Sequence, residues 1–435
     1  MNSERKNTKE VRESSCKKVE HTQKVSSAKI TGETGPLFPH LLYCERCCVP
    51  ETQAGIEFDY MGICKACQSS EQKIHINWIE REAHLRKILD EAKKNAGDNY
   101  DCIIPISGGK DSAFQLHVLT KVYGMKPLAV THSHNWWSET GWYNLQNVLE
   151  TFNVDHIVFT SNRGLINRMA KRSVEMIGDV SWHDHAGLGS VPMSIAVRFK
   201  IPLLIWGESI AENSGRATYY DPVHTWDREY HIKQSAQKSI DEMADETLTR
   251  RDLSPFKVPS EDEMKTAGVW GIHLGDYLFW DDERQTEFLQ DTYGWKETEM
   301  ENTYKRYKSA EDIMSGMHDF TCYLKRGFGR ATTQASVDVR NGLITRDEGF
   351  ALIRKHDTEI PEALEYYLKI TGSTEEEFFA TMEKMRVPAM QGVDIPVREK
   401  DHKNEERILP FPQQLIEKFR PDIIDPHVRK SIQLP

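Results

Sequence analysis

The chain has 435 residues, 38% of them hydrophobic and 28% charged, with a formal net charge of −11. No apolar run approaches the roughly 18 residues of a membrane span, and the start, MNSERKNTKE, lacks the apolar core of a secretory signal. A cytoplasmic location is expected, which fits cysteines clustered as close pairs and not spread as a disulfide framework, and the acidic balance argues against broad nucleic-acid binding.

Residues 1–40 hold eight Lys/Arg and five Asp/Glu, have no helical or strand periodicity, and read as a mobile tail. Residues 41–70 form a second segment, in which Cys44-x₂-Cys47 is followed after sixteen residues by Cys64-x₂-Cys67. Two such pairs can place four thiolates tetrahedrally around Zn²⁺, and a closed four-thiolate shell is structural because it leaves no position for substrate. The alternative is four reduced buried thiols, which rarely fall into this spacing. Cys48 reads as a bystander.

HINWIEREAHLRKILDEAKKN places apolar residues at helical spacing and reads as a connecting helix. It opens a third segment, 71–215. There short apolar runs at 101–106, 126–132, 155–161 and 201–207 alternate with candidate helices near 111–123, 140–151, 163–177 and 187–199. That alternation predicts an α/β fold with a doubly wound parallel sheet, whose ligands sit beyond the C-terminal strand ends. From 216 to 435 the pattern is mostly helical, acidic and aromatic. This region is expected to bind substrate or support assembly, and its polar end, from about Val397, reads as an arm packing on a neighbour in a homo-oligomer.

IPISGGKDS follows the first predicted strand and opens a helix. Gly108 and Gly109 let backbone N–H groups approach phosphate oxygens, and the helix N-terminus adds a favourable dipole. Ser107 and Ser112 can donate hydroxyl hydrogen bonds, Lys110 can neutralise charge, and Asp111 can hold Mg²⁺. No glycine stands five positions ahead of Gly109, so this is not a Walker A loop. A plain capped turn is the competing reading. Thr131 and His132, at the end of the second strand, are further candidates for nucleotide contact.

Among other polar groups, His183, Asp184 and His185 are acid/base candidates, since histidine titrates near neutrality and a carboxylate can orient it. Glu208 follows the fourth strand at the binding edge and could hold ribose, Mg²⁺ or ammonium, or cap a helix. Lys325, Arg326 and Arg330 suit a sugar diphosphate or carboxylate, or form a solvated face. His318 and Asp319 are weaker candidates. The tryptophans at 136, 137, 182 and 206 read as core or pocket wall, with Trp182 and Trp206 taken as substrate contacts.

SGGKDS closely resembles the PP-loop of the ATP pyrophosphatase superfamily, and hence the adenine nucleotide alpha-hydrolase-like folds. That resemblance implies cleavage of ATP between its α and β phosphates. Together with the cysteine pairs, SWHDHAGLGSVP (181–192), IPLLIWGES (201–209), WDDERQTE (280–287) and YLKRGFGRATTQASVDVRNGLITRDE (323–348), it makes the chain resemble N-acetyl sugar amidotransferases of the WbpG, PseA and LegA type. The resemblance implies that an acetamido group of a surface-polysaccharide sugar or sugar nucleotide becomes acetamidino. The amide oxygen takes AMP from ATP and ammonia then displaces it. No cysteine sits in a G-x-C-x-G-like elbow and the chain starts Met1-Asn2, so no glutaminase nucleophile is recognised. The resemblance implies an external glutaminase and a barrel-type partner. Two other classes compete: a tRNA-modifying PP-loop enzyme of the thiolase type, for which Cys102 and Cys322 lack CxxC partners, and a non-catalytic zinc-stabilised nucleotide-binding scaffold.

Overall fold

Five parallel strands form one sheet in the order β3-β2-β1-β4-β5: β1 Cys102–Pro105, β2 Pro127–Ser133, β3 Asp155–Thr160, β4 Leu203–Trp206 and β5 Trp270–His273. The computed structural model describes residues 35–213, 217–221, 228–400, 410, 411 and 414. Most of the expected tail, and the C-terminal arm beyond 400 apart from those three residues, lie outside this range.

Successive side chains of a strand point to opposite faces, and here both faces are covered. Cys102, Ile104, Leu203, Ile205 and Ile272 enter one apolar cluster with Leu85, Leu89, Leu145 and Leu289, while Ile103, Leu128, Val130 and Leu204 enter another with Val191, Met193 and Ala196. The sheet is doubly wound, as its sequence pattern predicts. Its order reverses between β1 and β4, which opens a crevice at their C-terminal ends.

The helices around the sheet include α1 Lys65–Lys73, α2 Trp78–Ala96, α3 Lys110–Leu116, α4 Glu139–Phe152, α5 Arg163–Ile177 and α6 Trp182–Phe199. Two elements differ from the sequence reading. The sheet continues past the fourth strand with β5, whose four residues, WGIH, are too few to show a period of two. The other is α6, which begins five residues before the expected start near 187. Gly187 and Gly189 lie inside this helix with side chains against their open faces. A Cβ on Gly187 would stand 2.4 Å from the His132 ring, and one on Gly189 2.2 Å from the ring of His231.

The C-terminal region is helical, with Ser315–Arg326, Arg330–Arg340, Arg346–His356, Ala363–Thr371 and Glu375–Lys384. Trp182, Met169, Phe320, Tyr323, Tyr367 and Met382 belong to one buried cluster, so this region shares a core with α5 and α6. Phe38, within the expected tail, is also in that cluster. The described residues all fall in one compact unit.

Candidate active site

The SGGKDS loop leaves β1 at the switch point and turns into α3. Gly108 has φ +79°, and a Cβ there would stand 2.8 Å from the backbone nitrogen of Leu145, so only glycine lets the loop pass so close to α4. The Trp295 indole donates to the Gly108 carbonyl at 2.9 Å, the Gly109 N–H donates to Ser107 Oγ at 3.3 Å, and Ser112 Oγ donates to the Gly109 carbonyl at 3.0 Å. These bonds hold the turn open at the base of a cavity of about 480 Å³.

Three carboxylates from distant segments converge beside the loop. Asp111, Glu208 and Asp282 each offer an oxygen within 4.8 Å of the others. Two lysines are threaded among them. Lys110, only 2% exposed, lies 2.7 Å from Asp282 and also pairs with Asp111, while Lys308 is 3.1 Å from Glu208 and pairs with Asp282. Burial pushes the Asp111 carboxyl up to about 6 even with Lys110 beside it. Burial would also raise Asp282, but its two lysines outweigh that and hold it below the usual carboxylate range. The cluster fits a divalent cation with oxygen ligands.

A second cavity, of about 240 Å³, lies over the ends of β1 and β2 and shares Ser107, Ser309, Glu311, His318 and Arg330 with the first. Its wall carries alternating acids and histidines. His318 Nδ1 lies 2.9 Å from Asp179, His132 Nδ1 lies 3.8 Å from Asp184, and His134 Nδ1 lies 3.8 Å from Asp312. His132 and His134 are 7% and 4% exposed, and no hydrogen bond among the described residues engages either nitrogen of His132 or Nε2 of His134. Burial would raise Asp184, yet the surrounding histidines hold it below its usual range. Burial and nearby carboxylates push Asp312 well up, and burial also raises Glu311, which accepts from Ser107 at 2.9 Å.

The expected site residues separate on this geometry. Ser107, Gly109, Lys110, Asp111, Ser112, Glu208 and Arg330 line the larger cavity, and His132, Asp184 and His185 line the smaller. Thr131 lies just behind, donating to the Ile106 carbonyl at 2.7 Å. His183 does not join them. It points from the first turn of α6 into the core, 0% exposed and edge-on to Trp136, and burial lowers it to about 3. Trp182 is 1% exposed and donates to the Lys238 carbonyl at 3.0 Å, and Trp206 packs beside the cluster on the α6 face of the sheet; neither lines either cavity.

The basic cluster also divides. Lys325 bonds to the Ile177 carbonyl and Arg326 to that of Thr52 at 2.8 Å, so both tie segments together, leaving Arg330 paired with Asp319 in the site. Residues 325 and 326 end one helix while 330 begins the next, which turns their side chains apart. Sequence reasoning missed Asp179, His134, Asp282, Lys308, Glu311 and Asp312. Only Asp282 left a signal: Asp281 already caps its helix, accepting from the Arg284 N–H, so a second aspartate was surplus to capping.

The four cysteines meet as their spacing predicts. Cys44 and Cys67 sulfurs are 3.8 Å apart, as are those of Cys47 and Cys64, and all four are buried. Thiolates about 2.3 Å from a shared ion stand about 3.8 Å apart at the corners of a tetrahedron, so the set fits Zn²⁺. Cys48 is outside the set and packs against Ala335, Phe350 and Ile353. Arg346 donates to the carbonyls of Cys47 and Cys44 at 3.0 and 2.7 Å, which docks the segment on the C-terminal helices.

Residues 301–395 match the LPS biosynthesis protein WbpG-like, C-terminal domain. The resemblance to the WbpG type is therefore supported over the stretch that supplies Lys308, Glu311, His318 and Arg330. The uncharacterized protein MJ1599 of Methanocaldococcus jannaschii is 29% identical over 108 residues, 25% of this chain. The chain spans 38% of the length of that curated relative. The NMN synthetase of Francisella tularensis aligns over 44% of this chain and 93% of that chain, with 13% identity and a TM-score of 0.25. The fold assignment rests on strand order and parallel ladders instead. No helix among the described residues is long and apolar enough to cross a membrane.

Proposed function

We propose that the chain is an ATP-dependent amidotransferase that converts an acetamido group of a bacterial surface-polysaccharide sugar into an acetamidino group, releasing AMP and pyrophosphate. One observation carries the reading: a single cavity is lined both by the SGGKDS loop and by His318, Asp319 and Arg330 of the stretch similar to the WbpG-like domain.

An amide is a poor electrophile because its nitrogen lone pair is shared with oxygen. Transfer of AMP to that oxygen makes an imidate with a good leaving group, which ammonia can displace. The backbone N–H groups at the start of α3, with Lys110 and Lys308, suit the departing pyrophosphate. Asp111, Glu208 and Asp282 would hold Mg²⁺, which supplies charge neutralisation at the phosphates. His132 and His134 line the smaller cavity beside Ser107, and their Nε2 atoms, which no hydrogen bond among the described residues engages, suit the nucleoside end of ATP. Cys44, Cys47, Cys64 and Cys67 would hold a structural Zn²⁺. Ammonia would come from a glutaminase with a barrel-type partner. The chain-order division into a zinc segment, an ATP-binding layer and a substrate-binding helical region belongs to the same proposal.

The test incubates the full chain with MgATP, ammonium chloride and either a UDP-diacetamidouronic acid or an N-acetylated nonulosonic acid. Equimolar AMP, pyrophosphate and amidine are expected. ADP and phosphate as products, or no amidine from either sugar, would overturn the reading. Specific tRNA binding with sulfur transfer would favour the thiolase class instead.

A further inference from the structure

Amination of the imidate moves protons, and its acid/base group is not assigned by the loop or by the three carboxylates. The two cavities meet at Ser107, Ser309, Glu311, His318 and Arg330. Chemistry at the α phosphate belongs at this junction, since one side holds the loop and carboxylate–lysine cluster and the other lies over the strand ends. Of the expected acid/base candidates, His183 is turned into the core. His185 stands edge-on to the His318 ring, with centroids 5.2 Å apart.

His318 has the geometry that a proton carrier requires. Its Nδ1 lies 2.9 Å from Asp179, which fixes the ring orientation and tautomer. Asp179 is itself held, accepting the Ser181 N–H at 2.8 Å. No hydrogen bond among the described residues engages Nε2, and the side chain is 29% exposed, at the junction. We propose, on the basis of the amidotransferase reading above, that His318 is the proton carrier of the amination step and that Asp179 is its positioning residue.

The step balances without outside acid. Protonated His318 gives its Nε2 proton to the imidate nitrogen, which makes the carbon more electrophilic. Ammonia then forms the new C–N bond, and the attacking nitrogen returns one proton to Nε2. The C–O bond to AMP breaks, its electron pair leaving on the phosphate. All three ammonia hydrogens are conserved: two stay on the new nitrogen, and the third replaces the proton that His318 lent to the sugar nitrogen. The product is an amidinium. Burial would lower His318, but Asp179 outweighs it and raises the ring to about 9, so the ring is charged and ready to donate near neutrality. The other charged or titratable groups around it are His185 and Asp184 from α6, Glu311 and Asp312 from the loop, Asp319 from its own helix, and Arg330 from the next.

The experiment compares wild type, His318→Asn and Asp179→Asn using a UDP-diacetamidouronic acid and, in parallel, an N-acetylated nonulosonic acid, with rates expressed per uncharged ammonia. In single turnover, His318→Asn should still release pyrophosphate within about threefold of wild type, while amidine formation falls by about 100-fold or more. The alkaline limb of the wild-type profile should lie near 9 and move to lower pH in Asp179→Asn. Ring titration by NMR should show the same displacement, a readout that depends on no substrate. Equal loss of both half-reactions in a folded His318→Asn protein, or an alkaline limb and ring titration that Asp179→Asn leaves unmoved, would overturn the proton-carrier role alone. No amidine from wild type with either sugar would overturn the amidotransferase reading and this role with it.

Discussion

The cysteine segment gathers buried thiols and the junction of the two cavities gathers half-buried polar side chains, and the two are assembled in opposite ways. The four sulfurs come from positions 44 to 67, a span so short that the ligand spacing alone brings them together. The junction draws Ser107 from the loop after β1, Asp179 and His185 from around the start of α6, Glu311 from a connecting loop, and His318 and Arg330 from C-terminal helices. Local spacing can specify the first. The second exists only once the sheet and the helical region share a core. A substitution in one should therefore unfold, and in the other silence.

The largest effect should come from Lys110→Met. It removes the cation buried between Asp111 and Asp282, and turnover should fall by about 1000-fold with the melting temperature nearly kept. Collapse of the fold instead would blur the contrast between the regions. Asp282→Asn, read by magnesium titration of AMP release, should cost about 100-fold at low magnesium and be partly restored at high magnesium. An unaltered magnesium dependence would remove Asp282 from the proposed cation site.

Cys44→Ser should behave in the other way. Metal analysis should find zinc lost from a wild-type content of about one per chain, with the melting temperature lowered by roughly 10 °C or more. The folded fraction should keep its kcat, and full stability without zinc would break the comparison. Lys325→Ala sharpens it further, because that lysine ties α5 to a C-terminal helix and does not line either cavity. Its kcat/KM should stay within about twofold, and a large loss would return it to the substrate site.

The smallest effect concerns pH. His318 is raised in the folded protein, so its pairing stabilises below the unfolded value of about 6.5 and that stabilisation is lost as pH climbs through about 9. Asp179 is held below its usual range despite burial, chiefly by His318, so its contribution is present above about pH 4 and is lost as pH falls. The urea midpoint of Asp179→Asn should lag wild type most between about pH 5 and 6.5 and approach it at alkaline pH. A gap independent of pH would mean that the pair is not what stabilises this corner.

The sequence by itself determined what depends on neighbours along the chain. Three of the five strands were legible because a strand buried on both faces is a continuous apolar run, and the half-exposed edge strand β3 because its centre, IVF, is still apolar. The SGGKDS loop was legible because glycines and a helix start lie within six residues, and the cysteine set because two pairs need only one turn of chain between them. Only the tertiary structure decided which polar groups face one another. His183 and His185 are two residues apart, and in a helix that spacing sends one into the core and the other toward the cavity. Arg326 and Arg330 fall on two helices and part company. Asp179 finds His318 across 139 positions, and Lys110 finds Asp282 across 172, separations over which no periodicity or spacing persists. Burial supplies the remainder, since the desolvation that raises Asp111 and Asp312 arises only when distant segments close over them.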